Sequence, residues 1–328
     1  MNRRRFLLAS AAALPFAPPF ARPGVAQDAS GYEDALDRLP QMRSLMIRRG
    51  DAVIFARARR SGDLDRPANI KSCSKSLVAL LLGAAIARGE IPGVDARLGD
   101  VAPDLIPADA TAGVADITLE DLVTLRAGLG STSGPNYGAW VGSRDWVAYA
   151  LRQPMEARPG GRMIYSTGST HVLGAALAEA TGLSLLAQAR ERLGAPLGIE
   201  IPAWIGDPQG YYFGGNDMAL TPRAMLAVAT MMRDGGRHDG RQVVSPDWMR
   251  ASLRPRARSP WSGMAYGYGW FLSDSGYALA RGYGGQVIAA HPARGLAVAI
   301  TSDPTRPARS AGYFGDIMDL LDGPILSA

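Results

Sequence analysis

Ser72-Cys73-Ser74-Lys75 puts a hydroxyl and an amine three positions apart. On a helix, that spacing sets both side chains on one face, within reach of each other. A serine at a helix N-terminus also lies beside free backbone N–H groups, which stabilise anionic oxygen. A lysine heading an apolar helix is poorly solvated, and that favours its neutral form. A neutral amine can take the hydroxyl proton and turn Ser72 into a nucleophile. The use of basic residues sharpens the point, because of 35 Lys and Arg only Lys71 and Lys75 are lysine. Arg does not release its proton in a protein, whereas Lys can. The competing reading is a decorated helix end, with Lys75 reaching to solvent.

Two other segments carry candidate chemistry. Tyr165-Ser166-Thr167 follows the turn Arg158-Pro159-Gly160-Gly161. A tyrosine near a neutral lysine can share protons with the serine and pass one to a leaving group. Taken alone, Tyr165 reads first as a packing residue, as most of the eleven tyrosines do. Ala280-Arg281-Gly282-Tyr283-Gly284-Gly285-Gln286 clusters glycines at a strand edge, where backbone can approach a ligand closely. A backbone N–H there and that of Ser72 would form the two halves of an oxyanion hole. Glycines for a strand bend and close packing are the alternative.

Other chemistries find little support. A Ser-His-Asp triad lacks its Gly-x-Ser-x-Gly elbow. His171, His238 and His291 have no metal-ligand spacing, and no Walker or Rossmann glycine pattern occurs. No metal and no cofactor is therefore expected. The single cysteine, Cys73, cannot form an internal disulfide, and packing is its simplest role.

The positioning elements follow from pattern. Arg43–Arg49 and Asp51–Arg59 read as a hairpin turning at Gly50. Ser72–Arg88 reads as a helix apolar on every side, hence buried, and stopped by Gly89. A capping box at Thr118–Asp121 opens a helix to Leu125. Further helices are expected at Ser143–Arg152, Ser169–Thr181, Leu185–Leu193 and Arg223–Arg233. Then the period changes to two, and Tyr266–Leu272, Tyr277–Arg281, Gly285–Ala290 and Leu296–Thr301 read as antiparallel strands. A helix over Ala308–Leu321 closes the chain. The expected fold is α/β (α+β). One lobe, residues 27–95 and 236–328, comes from both ends of the chain, and residues 96–235 form an inserted, mostly helical lobe. A cleft between lobes suits an active site.

The 328 residues, 47% hydrophobic and 20% charged, suit one large domain or two packed lobes. The net charge of +5 is misleading, because residues 1–26 carry four arginines and no acid. Without them the chain is nearly neutral, so neither nucleic acid nor an anionic membrane is an expected partner. That N-terminal segment reads as an export signal: Arg3-Arg4-Arg5-Phe6-Leu7, a short apolar run, then Gly24-Val25-Ala26 for cleavage. It resembles a twin-arginine signal, which implies a periplasmic or secreted protein. The apolar run, interrupted by Pro15, Pro18 and Pro19, is too short for a stable membrane span.

Taken in order, the three motifs resemble the serine β-lactamase and penicillin-binding fold, nearest its class C β-lactamase-like group. The resemblance runs from about Leu45 to Ile300. It includes Ile117–Thr124, Pro159-Gly160 ahead of Tyr165, Pro196-Leu197-Gly198-Ile199 and Leu220-Thr221-Pro222. It implies an acyl-enzyme on Ser72, Lys75 as base, and Tyr165 in the place of the family's Tyr-x-Asn tyrosine. It implies that the amides of Ser72 and Tyr283 hold the oxyanion, with Thr167, Gly282 and Gly284 lining the substrate. Two departures stand out. Thr167 replaces the motif's Asn. Ala280 replaces the cation of Lys-Thr-Gly or His-Thr-Gly, and a strand should point Arg281 to the opposite face. The pattern resembles the 6-aminohexanoate-dimer hydrolase and esterase branch. The implied substrate is a small ester, amide or peptide-like molecule. A β-lactamase or DD-peptidase is the alternative, and a non-catalytic binding protein on the same fold is the second. Pocket shape falls to the loops around 131–140 and 210–216, where Tyr137 and Trp140 are either cleft or core aromatics.

Overall fold

The computed structural model describes residues 30–327, so the expected export signal over 1–26 lies outside the described residues. The first hairpin forms as expected. Strand β1 (Met42–Arg49) turns at Gly50, where φ is +52°, into β2 (Ala52–Ala58). Six more strands come from the last third of the chain: β3 (Ala257–Arg258), β4 (Ala265–Tyr266), β5 (Phe271–Leu272), β6 (Ala278–Gly282), β7 (Gln286–His291) and β8 (Leu296–Ser302). They join the hairpin in one antiparallel sheet ordered β2-β1-β8-β7-β6-β5-β4-β3. The join between chain ends is the β1–β8 ladder, with Ile47 opposite Val298 and Met46 opposite Ala299.

Alternation along the strands sorts side chains into two cores. Met46, Ala280, Ile288, Ala290, Ala297 and Ala299 face the Ser74–Ala87 helix and the helical segment. Leu45, Ile47, Leu279, Val287, Val298 and Ile300 face the two terminal helices, Ser30–Arg38 and Tyr313–Leu320. Alanines dominate the first set, which lets helices lie close to the sheet at interior packing density. The Pro222–Arg233 helix packs there, against β1, β7 and β8. The Ser30–Arg38 helix was not expected from the sequence, although Tyr32, Ala35 and Leu36 have helical spacing and are buried.

The Ser74–Ala87 helix is enclosed on all sides, as its composition requires, and residues from Leu77 to Leu82 are at most 1% exposed. The rest of the middle, from Leu98 to Arg233, is almost wholly helices and turns. Among the described residues no single helix is long and apolar enough to cross a membrane.

One expected element is corrected. Tyr266–Leu272 is two short strands joined by a turn, not one strand. Gly269 is the cause. Its φ is +76°, and a Cβ there would stand 2.6 Å from Ala79 Cβ and 3.2 Å from the Lys75 carbonyl oxygen. Backbone thus lies directly on the first turns of the central helix, and Ser76 Oγ donates to the Gly269 carbonyl at 2.5 Å. Gly269→Ala should cost about 1–3 kcal/mol of stability, combining a left-handed backbone with overpacking. Gly138→Ala, where nothing lies within 4 Å of the added carbon, should stay within about 1 kcal/mol of wild type. Urea unfolding of both variants checks the contrast.

Candidate active site

Ser72 sits in a single 3-10 turn, Lys71–Cys73, that leads into the Ser74–Ala87 helix. The turn requires a sharp reversal, and Lys71 adopts a φ of +51°. A non-glycine residue in that region needs outside support. Three groups supply it. The Lys71 amide donates to Asn69 Oδ1 at 2.8 Å, Asn69 Nδ2 donates to Asp217 Oδ1 at 2.6 Å, and Lys71 Nζ pairs with the same oxygen at 3.0 Å. Ser74 Oγ closes the turn by donating to the Lys71 carbonyl at 2.6 Å. The two lysines therefore have separate surroundings: Lys71 is ion-paired, and Lys75 is not.

Lys75 is 3% exposed and touches three oxygens. Its Nζ lies 3.0 Å from Ser72 Oγ, 3.2 Å from Thr167 Oγ1 and 2.7 Å from the Gly215 carbonyl oxygen. No carboxylate is among them. Burial lowers its pKa from 10.5 to about 7, with Cys73 and Asp217 pulling weakly the other way. A neutral amine has two N–H bonds and one lone pair. Gly215 O can only accept and Thr167 Oγ1 is free to accept, which leaves the lone pair for the Ser72 hydroxyl.

Tyr165 completes the group. Its ring centroid is 4.9 Å from Lys75 Nζ, and its phenol interacts with the Ser72 hydroxyl. The ring is partly exposed, but the phenol end is enclosed, and burial pushes its pKa up to about 12. Tyr165 is therefore a protonated donor at neutral pH.

The segment carrying Tyr165 and Thr167 is held by hydroxyls from another loop, Ser131-Thr132-Ser133. Ser131 Oγ donates to the Tyr165 carbonyl at 2.7 Å, and Thr132 Oγ1 and Ser166 Oγ are 3.0 Å apart. The first two amides of the Thr167–Thr181 helix donate to Ser133 Oγ at 2.9 Å and Thr132 Oγ1 at 2.8 Å. These bonds satisfy helix-end donors that a capping side chain of the same segment would otherwise take. Ser133 Oγ also lies 2.8 Å from Thr167 Oγ1, so a hydroxyl chain runs Ser133–Thr167–Lys75. Sequence reading reached Ser72, Lys75, Tyr165 and Thr167. It missed Gly215, Asp217, Asn69 and Ser133. The loops around 131–140 and 210–216 were assigned to the pocket, but no residue in them was singled out as a partner of Lys75; a run of three hydroxyl residues at 131–133 was a further visible signal.

On the far side, Gly282 at the end of β6 lies against the turn that carries Ser72. A Cβ there would fall 2.3 Å from the Ile70 carbonyl oxygen and 3.2 Å from Lys71 Cβ. Tyr283 follows, and among the described residues no turn, loop or cap bond uses the amide of Ser72 or of Tyr283. Gly284 has a φ of +83° and packs on backbone, its missing Cβ 2.4 Å from the Asp303 carbonyl oxygen. Ala280 faces the central helix. Arg281 points to the other face as the strand requires, its guanidinium 3.4 Å from the Phe314 ring centroid and hydrogen-bonded to Ser310 Oγ.

The remaining named residues serve packing. Cys73 is fully buried and its thiol pKa is raised. His171 is buried among Trp140, Trp146 and Phe213, with Nε2 3.0 Å from Asp207 Oδ2. Trp140 is a core aromatic, while Tyr137 accepts a hydrogen bond from Asn216 at 3.0 Å. The His171–Asp207 pair, with the Gly214 amide 3.3 Å from His171 Nδ1, ties down the loop that carries Gly215.

With only two lysines, 13C-lysine-labelled protein should give a spectrum assignable by one variant, Lys71→Arg. The Lys75 signal should titrate with a midpoint near 7. A midpoint near 10.5, the ordinary value, would contradict this account of its surroundings.

A family model described as Beta-lactamase matches residues 22–314. Solved structures share the fold. A Bacillus anthracis protein assigned to the 6-aminohexanoate-dimer hydrolases aligns over 90% of this chain and 80% of its own, with TM-score 0.73 and 15% identity. EstCE1, a hydrolase with promiscuous acyltransferase activity, aligns over 90% and 97%, with TM-score 0.71 and 19% identity. A penicillin-binding protein homologue from Caulobacter crescentus aligns over 85% and 93%, with TM-score 0.70 and 17% identity. Identities this low speak for the fold alone, but the family match spans most of the sequence and contains the whole Ser72–Lys75–Tyr165 group, so the chain belongs to the beta-lactamase family, a hydrolase family built on the β-lactamase and penicillin-binding fold.

Proposed function

We propose that this protein is an exported serine hydrolase that cleaves an ester or small amide through an acyl-Ser72 intermediate. The observation that carries this reading is the carboxylate-free contact between Lys75 Nζ and Ser72 Oγ at 3.0 Å. The neutral Lys75 amine takes the Ser72 proton as Oγ attacks the carbonyl carbon. The amides of Ser72 and Tyr283 receive the developing oxyanion. Tyr165 hands its phenol proton to the leaving oxygen or nitrogen as the bond to the acyl carbon breaks, and regains a proton from Lys75. Water then attacks the acyl-enzyme by the same steps in reverse, and Ser72 is released with its proton. Thr167 and Gly282 border the substrate, whereas Gly284 serves the turn that presents Tyr283.

Esters and amides are favoured over β-lactams on two grounds. Thr167 offers a hydroxyl where an Asn amide would hold both Lys75 and substrate. Ala280 leaves no cation at the place where β-lactamases hold a carboxylate. The structural neighbours include a protein assigned to the 6-aminohexanoate-dimer hydrolases and EstCE1, a hydrolase with promiscuous acyltransferase activity, alongside penicillin-binding homologues. A β-lactamase or DD-peptidase remains the second reading, since the nucleophile, base and oxyanion donors suit it equally.

Intact-mass spectrometry after fluorophosphonate, p-nitrophenyl ester and β-lactam should show labelling of wild type and none of Ser72→Ala, with ester turnover and no lactam adduct. A lasting or turning-over lactam adduct would move the assignment to the second reading. Lys75→Arg should lower ester turnover roughly 100-fold or more, because a permanent cation cannot serve as base. In wild type, kcat/KM should rise with pH to a plateau above about 7, since the base is the unprotonated amine; a rate independent of pH between 5 and 9 (roughly the span over which such a group titrates) would remove Lys75 from that role. Export through the twin-arginine route predicts that Arg3→Lys/Arg4→Lys leaves an uncleaved precursor in the cytoplasmic fraction of a bacterial host, and normal export of that variant would refute the route.

A further inference from the structure

Four large apolar side chains are exposed among the described residues: Val53, Ile205, Trp261 and Tyr283. Tyr283 belongs to the candidate oxyanion loop, and Trp261 stands against Tyr165. Trp261 is 65% exposed, the most of the four, and its ring meets the Tyr165 ring edge-on with centroids 5.6 Å apart. It occupies the tip of the β3–β4 hairpin. That tip is tied down. The Gly263 amide donates to the Ser259 carbonyl at 3.0 Å, the Ser262 amide to Ser259 Oγ at 3.3 Å, and the Arg258 guanidinium to the Gly263 carbonyl. A single exposed apolar side chain is ordinary on a protein surface; what sets Trp261 apart is its ring contact with Tyr165.

The chemistry says which part of a substrate meets it. In the proposed mechanism Tyr165 gives its proton to the leaving oxygen or nitrogen, so the leaving group must lie within hydrogen-bonding distance of that phenol. The Tyr165 ring has Trp261 as its exposed aromatic neighbour. The tip carries Ser259, Pro260, Ser262 and Gly263 around it and no acid, and the one cation, Arg258, is spent on the backbone. Such a surface recognises a flat apolar group, by area and by ring-on-ring contact, and offers nothing to a charged one. We propose that Trp261 is the wall of a leaving-group subsite, and that the enzyme prefers esters or amides of aromatic alcohols or amines to those of small aliphatic ones. This rests on the acyl-Ser72 reading. It adds a substrate class and a specificity residue to it.

The test compares benzyl acetate with ethyl acetate, and ethyl hexanoate with ethyl acetate, in wild type, Trp261→Ala and Trp261→Phe. Ratios within one enzyme form, compared between forms, cancel the intrinsic reactivity of each ester. The benzyl-to-ethyl ratio of kcat/KM should fall roughly tenfold in Trp261→Ala and be largely kept in Trp261→Phe, as loss and retention of an aromatic contact require. The hexanoate-to-acetate ratio should stay within about twofold of wild type, since the acyl chain does not meet the leaving-group wall. An unchanged benzyl-to-ethyl ratio would overturn the proposal, as would an equal loss on ethyl esters, which is what a displaced Tyr165 would produce. Binding of benzyl alcohol to Ser72→Ala, followed by saturation-transfer NMR, needs no turnover. Signal that disappears in Ser72→Ala/Trp261→Ala supports the subsite, and equal signal in both overturns it. Turnover that survives in Ser72→Ala would instead sink the acyl-enzyme reading, and the two failures are thereby told apart.

Discussion

Everything around the site depends on one constraint: an amine must be buried without an acid to neutralise it. Desolvating an ammonium is expensive, and a protein relieves that cost by pairing the charge or by letting the proton go. Here the pairing option is withheld. The single nearby carboxylate that could serve, Asp217, is engaged by Lys71 and Asn69. Lys75 is left with a carbonyl and two hydroxyls, and its pKa falls to about 7. The same amine with a carboxylate partner would hold its proton and be useless as a base.

The fold can be understood as the support for that amine. The central helix is apolar on all sides because it must be surrounded: the sheet alanines lie on one flank and the helical segment on the other. Gly269 brings backbone onto the first turns of the helix, and Gly282 brings the end of β6 against the Ile70 carbonyl. Neither approach has room for a side chain. On the other side, the hydroxyls of 131–133 grip the segment 165–168, setting the Tyr165 phenol and Thr167 hydroxyl against Lys75. Strain at Lys71, the residue before Ser72, is held by a three-member polar cluster whose Asp217 itself has a φ of +62°. Rigid placement of this kind is what lets a weak nucleophile and a weak base act together.

Thr167 shows how local chemistry shapes the wider reading. A hydroxyl can accept from an amine and donate elsewhere in the same rotamer, and Ser133 gives it a second partner. It therefore supports Lys75 in either protonation state. An amide would support Lys75 and also reach a substrate. Trading one for the other keeps a partner for Lys75 and removes the second polar arm that an amide would carry.

Much of this was legible in the chain itself. Composition marked Lys75 as unusual, since Arg does every other cationic task except at Lys71. Apolarity on every side placed the helix behind Ser72 in the centre. Period-two runs marked most strands of the sheet; the run at Gly269 is broken, and the two-residue edge strand Ala257–Arg258 is too short to show a period. These features are local: residue type, spacing and periodicity act within a few positions, so the sequence displays them. The partners of Lys75 were not legible. Gly215 contributes a carbonyl, which every residue has, and Asp217 and Ser133 are common side chains 142 and 58 positions from it. Which turn of which loop reaches the amine is set by packing between distant segments, and Gly269 looked like any glycine in a strand until the helix beneath it was in view. The sequence by itself determined the Ser72–Lys75 spacing and the buried helix that follows it. Only the tertiary structure decided what surrounds the amine, and hence its charge, because desolvation is a property of the assembled interior.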